Sequence, residues 1–220
     1  MIPALVLASN SPRRKELLSL GGQPFEVKAA EINEDPRPGE DPRDYVRRLA
    51  SEKARTVAGG LGGREALVLA ADTTVVHEGH IVGKPTNSGE ARAILQSLRG
   101  KSHTVFTAIS IARSSDGAEL SDLAETTVPM RDYSDAEIDA YVATGDPLDK
   151  AGAYAIQHAG FHPAASMDGC LANVVGLPLC HLKRTMMKLN LTFEADVPKA
   201  CQAHLAYDCP VSADILAWRQ

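Results

Sequence analysis

The sequence predicts an α/β fold with some antiparallel strands, on three observations. A strand, a polar turn and a capped helix follow one another at the start. Apolar runs of strand length alternate with helically spaced ones, and two pairs of strand-like runs are joined by short turns. Ile2 to Ala8 is rich in Leu and Val and runs into Ser9-Asn10-Ser11-Pro12, the pattern of a short buried strand ending in a turn. Ser11 suits the N-cap and Pro12 the first position of the next helix; Leu17, Leu18 and Leu20 form its apolar stripe and Gly21-Gly22 stops it. Residues 31 to 43 are rich in proline and acids and read as a loop. A second helix starts after Asp41-Pro42 and runs to about Ala58, with Tyr45, Val46, Leu49, Ala50, Ala54 and Val57 on one face.

Ala66 to Ala71 is a second apolar strand, expected to end at Asp72, and Thr73 to Val76 pairs with Ile81-Val82 across Glu78-Gly79 as a hairpin. Asn87, with Glu90 three residues on, opens a helix whose Ala91, Ile94, Leu95 and Leu98 share a face and which Gly100 stops. Val105 to Ala112 and Leu120 to Met130 are strands joined by Ser114-Ser115-Asp116-Gly117. Ser134 and Glu137 make a capping box for a helix to about Thr144. Beyond a Gly-rich stretch from Asp149 to Gly176, Pro178 opens a last helix to about Leu189.

A chain of 220 residues can bury about 70% of its unfolded surface in one core, so one domain suffices. The 23 Lys and Arg are outnumbered by 28 Asp and Glu, a net charge of -5. No global positive field draws nucleic acid or an anionic membrane, and a polyanion must be met by a local patch. The run Ile2 to Ala8 is far short of the roughly 20 residues of a membrane helix. Arg13, Arg14 and Lys15 follow it, the reverse of a secretory signal's charge order, so a cytoplasmic protein is expected. Cys170, Cys180, Cys201 and Cys209 lie in the last third with no C-x-x-C pair and read as reduced thiols.

The strongest local anomaly is Ser9-Asn10-Ser11-Pro12-Arg13-Arg14-Lys15. Three cations occupy the first turn of a helix whose dipole favours anions there, each at a cost of roughly 0.3 to 1 kcal/mol. Either the side chains splay into solvent, or an anion such as phosphate binds there among free N–H groups, guanidinium forks and the Ser9 and Ser11 hydroxyls. Lys53 falls on the apolar face of its helix, where a lysine usually snorkels. Lys84, in Gly83-Lys84-Pro85, follows the hairpin. Asp72 is directed by its strand into a cleft beyond the sheet, where a carboxylate can hold a hard cation or accept a proton from water. Glu31, Glu34 and Asp35 in the acidic loop offer a second carboxylate.

Other constellations fail on spacing. Gly59 to Gly63 follows no strand and lacks a P-loop lysine; Cys201, His204 and Cys209 fit no standard zinc finger. Neither H-E-x-x-H nor G-x-S-x-G is present.

Ala8 to Leu18 resembles the opening motif of the Maf family of nucleoside triphosphate pyrophosphatases. Ala71-Asp72-Thr73-Thr74-Val75, Gly83-Lys84-Pro85, Ser97 to Lys101, Asp149 to Gln157 and Asn173 to Leu179 resemble further family blocks in family order. The resemblance covers about residues 4 to 190, giving a pyrophosphatase domain over 1–190 and a C-terminal extension over 191–220. It implies a Maf/ITPase-like α/β fold: an elongated mixed sheet flanked by helices, two lobes with the active site in the cleft between them, and a homodimer. It implies phosphate contacts from Ser9, Arg13, Arg14, Lys53 and Lys84, and a catalytic proton acceptor at Asp72. Glu34 and Asp72 would hold Mg²⁺ or Mn²⁺, with Asp72 as base, ligand or both.

Three positions that divide dTTP- and UTP-acting members from those acting on 7-methyl-GTP read here as Arg13, Thr73 and Gln157, the pyrimidine-type set. A rival reading is a nucleotide-binding regulator of cell division without turnover, which gives no reason for a carboxylate beside phosphates. The chain departs from the family pattern between Phe161 and Cys170, where Pro163-Ala164-Ala165 and Cys170-Leu171 replace an expected aliphatic strand and Gly-Ser-Tyr-like turn. The residues after about 190, including Trp218, lie beyond the resemblance.

Overall fold

The computed structural model describes residues 4–217; Ile2 and Pro3 of the first expected strand, and Trp218, lie outside the described residues. The elements are β1 (Ala4–Leu7), α1 (Pro12–Ser19), β2 (Glu26–Val27), α2 (Pro42–Gly59), β3 (Ala66–His77), β4 (His80–Val82), α3 (Ser88–Leu98), β5 (Ser102–Arg113), β6 (Glu119–Pro129) and α4 (Asp135–Ala143). Two 3-10 turns, Asp146–Asp149 and Ala151–Ala153, precede α5 (Leu171–Val175), α6 (Leu179–Met187), α7 (Val197–Leu205) and α8 (Ser212–Ala217). The expected caps are present. Ser11 accepts from the Arg14 N–H, Asp41 from Arg43 and Asn87 from Glu90, and Ser134 and Glu137 cap each other's backbone in a complete capping box.

The six strands form one mixed sheet in the order β2-β1-β3-β5-β6, with β4 also paired to β3. β1 runs parallel to β2 and β3; the other pairings are antiparallel. The strand expected to end at Asp72 does not end there. β5 pairs with β3 continuously from Leu67 to Val76, and Asp72 sits opposite Ala108 in mid-ladder. What stops is the neighbour on the other edge. β1 covers β3 only at residues 66–69 and β4 covers it only at 75–77, so residues 70–74 have no strand partner on that side. The polar residue that reads as a strand end marks a gap in the sheet instead.

The period-2 alternation of β3 and β5 divides one sheet face into two cores. Leu67, Leu69 and Ala71 pack with Ile109 and Ile111 under α1, α5, α6 and α7, while Val75 and Val105 pack with α3 and α4. Between these cores the same row carries Thr73 opposite Thr107, so a polar pair marks the seam. These are the two expected lobes. On the opposite face α2 covers Val68, Ala70, Phe106 and Ala108, and there Asp72 breaks the apolar row.

Elements too short for a periodic pattern were not legible in the sequence, namely the two-residue β2 and the five-residue α5. Between Phe161 and Cys170 the only strand-like pairing among the described residues is an isolated bridge between Met130 and Ala164. The segment past residue 190 supplies core: Phe193, Val197, Cys201 and Leu205 join the larger lobe's cluster. Gly21 lies against the Phe193 ring so closely that a β-carbon there would collide with it. Phe193→Ala is therefore expected to cost about 3 kcal/mol of stability, read from thermal or denaturant unfolding. A loss below about 1 kcal/mol would show that the ring only rests on the lobe.

Candidate active site

The gap along β3 opens into a cleft of about 570 Å³, a size typical of small-molecule sites, between the two lobes. Each expected site residue lines it: Ser9, Arg13, Arg14, Glu34, Lys53, Asp72, Thr73, Lys84 and Gln157. They arrive from separate places. Ser9 follows β1 where that strand leaves the sheet, Arg13 and Arg14 occupy the first turn of α1, and Glu34 comes from the acidic loop. Lys84 and Gln157 reach the cleft from the smaller lobe.

Lys53 does not snorkel. Its helix packs on the sheet face that carries Asp72, so its ammonium points inward, 2.6 Å from Asp72 Oδ1 and 2.7 Å from Glu34 Oε1, with 8% of the residue exposed. One cation thus holds two carboxylates from elements distant in sequence. Burial pushes the Asp72 carboxyl above its usual range, and the charges of Lys53 and Arg14 oppose that push without reversing it. Burial also pushes Glu34 up, but there the hydrogen bond and charge of Lys53, with Lys84 and Arg14, prevail and the net shift is downward. Tyr45, whose hydroxyl donates to the Glu34 carbonyl at 2.9 Å, is pushed up to about 12 by burial and by the Asp72 and Glu34 charges.

Arg14 does not splay into solvent either. Its Nη2 donates to Thr73 Oγ1 at 3.1 Å, its Nε to the Gly176 carbonyl at 2.9 Å and its Nη1 to Ser9 Oγ at 3.4 Å. Thr107 Oγ1 lies 2.9 Å from Thr73 Oγ1 and donates its single proton to the Asn173 carbonyl at 2.9 Å. Thr73 must therefore donate to Thr107, and it is free to accept from Arg14. The lone-pair order runs one way from the guanidinium to α5. Asn173, fully buried, is held in turn by its amide on Val105 O and Thr126 Oγ1. Arg13 extends across the cleft to Asp149 at 3.6 Å, while Lys84 and Gln157 stand exposed on its rim.

Sequence reasoning missed Tyr45, Thr107 and Asn173 as supports of the site. Thr107 carried a usable signal, a hydroxyl inside the apolar run Val105 to Ala112. Tyr45 falls within its helix's apolar stripe, and Asn173 opens a block that resembles the family, with no role attached to it. Cys201, His204 and Cys209 form no metal centre: no group of three His, Cys, Asp or Glu among the described residues is placed to hold an ion, and His204 lies 3.5 Å from Glu16. The four cysteines are free. No helix among the described residues is long and apolar enough to cross a membrane.

The sequence profile of the family described as Maf-like protein matches residues 4–189. A protein of Anaeromyxobacter dehalogenans named dTTP/UTP pyrophosphatase is 50% identical over 181 residues, covering 81% of this chain and 90% of its own. One of Methylococcus capsulatus with the same name is 46% identical over 187 residues, covering 85% and 91%. Among solved structures, a HAM1 protein from Coxiella burnetii aligns with a TM-score of 0.43 and 19% identity over 60% of this chain and 75% of that one.

The buried carboxylate has a cost that can be measured. A carboxyl whose folded pKa is raised binds its proton more tightly in the native state, so its stability penalty is absent below the unfolded pKa and grows as pH rises through the folded one. Asp72→Asn leaves Lys53 its Glu34 partner and is expected to melt at or above the wild-type temperature at pH 8, the advantage shrinking toward pH 4. A variant less stable than wild type at pH 8 would show that the Lys53 pair outweighs desolvation.

Proposed function

The chain belongs to the Maf-like family, whose profile spans residues 4–189, and we propose that it is a nucleoside triphosphate pyrophosphatase. It hydrolyses dTTP and UTP between the α and β phosphates, yielding the nucleoside monophosphate and pyrophosphate, as the names of its relatives indicate for them. One observation carries this reading. A single cleft pairs a desolvated carboxylate, Asp72, with Lys53, Arg13, Arg14 and Lys84, cations drawn from several elements of an acidic protein.

Ser9, Arg13, Arg14, Lys53 and Lys84 bind the triphosphate, their donors neutralising charge that grows on the leaving pyrophosphate. Arg14 is preorganised for this by Thr73, Ser9 and Gly176, so little reordering accompanies binding. Asp72 accepts the proton of the attacking water, and burial makes it a stronger base than an exposed aspartate. Asp72 and Glu34 converge on one point, now taken by the Lys53 ammonium. Two carboxylates completed by phosphate oxygens and water suit Mg²⁺ or Mn²⁺, so the residues fit a divalent ion. When bound, the ion would offset phosphate charge and acidify a coordinated water.

Gln157 recognises the base: its amide donates to O4 of uracil or thymine and accepts from N3–H, whereas cytosine presents the opposite pair, which the amide meets only when turned by half a turn, so discrimination requires that its orientation be held. Arg13 and Thr73 complete the pyrimidine-type set, Thr73 acting through Arg14. The protein so read is a cytoplasmic homodimer that removes these nucleotides, or modified pyrimidine analogues, from the pool. It takes neither nucleic acid nor membrane as partner, in keeping with its net charge of -5.

Pyrophosphate release from a nucleotide panel tests the reading. The kcat/KM for dTTP and UTP is expected to exceed that for dCTP, dATP and 7-methyl-GTP by at least about tenfold, or roughly 1.4 kcal/mol. Equal turnover of 7-methyl-GTP would overturn the base assignment and leave the reaction in place. Asp72→Asn is expected to lower turnover by at least about 10²-fold; near-normal turnover would remove Asp72 from the mechanism. A chelator should abolish release and Mg²⁺ or Mn²⁺ restore it, whereas full activity in chelator would exclude the divalent ion.

A further inference from the structure

Lys150 is a buried cation of the cleft wall, 8% exposed, that the reaction above does not use. Its ammonium donates to the Asp146 carbonyl at 2.6 Å, to Asp146 Oδ1 at 2.9 Å and to Asp149 Oδ1 at 2.6 Å. An ammonium has three donors, so all are committed to protein and none is left for a phosphate. What Lys150 does must be done through its two carboxylates.

They lead in different directions. Asp149 Oδ2 lies 3.6 Å from Arg13 Nη1, reaching from the smaller lobe to α1 on the larger one. Asp146 Oδ2 accepts from the Tyr141 hydroxyl at 2.6 Å, and the same hydroxyl oxygen accepts from the Ala155 N–H at 2.9 Å. Ala155 stands two residues before Gln157. One ammonium therefore links Arg13, on one side of the cleft, to the backbone of Ala155, two residues before Gln157, on the other.

We propose that Lys150 is a positioning residue for base recognition: through Asp149 it sets Arg13, and through Asp146, Tyr141 and the Ala155 N–H it sets the segment that presents Gln157. This rests on reading the cleft as a dTTP and UTP site. Electrostatics supports the geometry. Burial pushes the Asp146 and Asp149 carboxyls up, yet both end below their usual range, chiefly through the Tyr141 and Lys150 hydrogen bonds at Asp146 and the Lys150 bond and charge at Asp149. Without the ammonium, two neighbouring carboxylates would repel, and Arg13 and Tyr141 would lose fixed partners.

Tyr141→Phe is the mildest cut in this chain. It removes one hydroxyl and keeps the ring, which stacks on Phe161 with centroids 4.3 Å apart. The test compares kcat/KM for dTTP and dCTP in wild type, Tyr141→Phe, Lys150→Gln and the double variant. The dTTP preference is expected to fall at least fivefold in each single variant, and the double variant should be no worse than Lys150→Gln, because the path that Tyr141→Phe cuts is one of the two that Lys150→Gln already breaks. A proportional loss on both nucleotides, the mark of a merely structural role, would overturn the proposal, as would an unchanged preference. If Lys150→Gln does not fold, Tyr141→Phe decides alone. Wild type that releases pyrophosphate from neither nucleotide would overturn the proposed function itself; wild type that discriminates, with variants that discriminate equally, would overturn only the role of Lys150.

Discussion

β1 pairs with four residues of a neighbour twelve residues long, and that mismatch generates the site. A strand edge left open in mid-sheet exposes backbone polar groups, which a folded protein tolerates only beside water or a ligand. Here the opening lies between β1 and β4, so side chains on both faces of β3 reach one cavity: Asp72 from the face under α2, Thr73 from the other. Ser9 enters because β1 has ended, and α1 begins at the same place because Ser11 and Pro12 start a helix there. The cations at the head of α1, unfavourable against the helix dipole, are retained where a polyanion would reverse the sign of that interaction.

Most of the larger features are legible through a period or a cap, but α7, nine residues long, lies beyond the helix expected to be the last. α2, α3 and α4 were placed by stripes and caps, and β5 with β6 by two apolar runs about a turn. Asp72 was singled out for a partly mistaken reason. A carboxylate after Ala66 to Ala71 looks like the end of a strand, because sequence shows one chain at a time while the gap belongs to the neighbouring strands. Lys53 shows the converse. From its helix alone it reads as a snorkelling side chain, and only the sheet beneath α2, with Asp72 facing it, makes it a buried partner. Asn173 meets Thr107 and Val105 more than sixty residues away, and the Tyr141 hydroxyl meets the Ala155 N–H fourteen residues on, distances at which no local pattern survives.

Hydrogen-bond directions add an order that composition cannot convey. Thr107 spends its only proton on the Asn173 carbonyl, which fixes Thr73 as donor to Thr107 and leaves its lone pairs to Arg14. The polar seam between the two cores is thereby satisfied from guanidinium to carbonyl, and α5, only five residues long, is tied to both β5 and α1. A short helix with little propensity of its own is held by its role in this chain of bonds.

Both lobes are built on the same unbroken strands, β3 and β5, paired from Leu67 to Val76. A hinge needs a few backbone positions free to turn, and a continuous antiparallel ladder offers none without giving up its hydrogen bonds. The lobes can twist together with the sheet, and a jaw-like closure would cost hydrogen bonds of that ladder. Discrimination between nucleotides then draws on the resting shape of the walls. Rigid ligands shaped to that resting cleft would lose little on binding, and much of what tunes selectivity would sit in the walls behind the residues that touch the base.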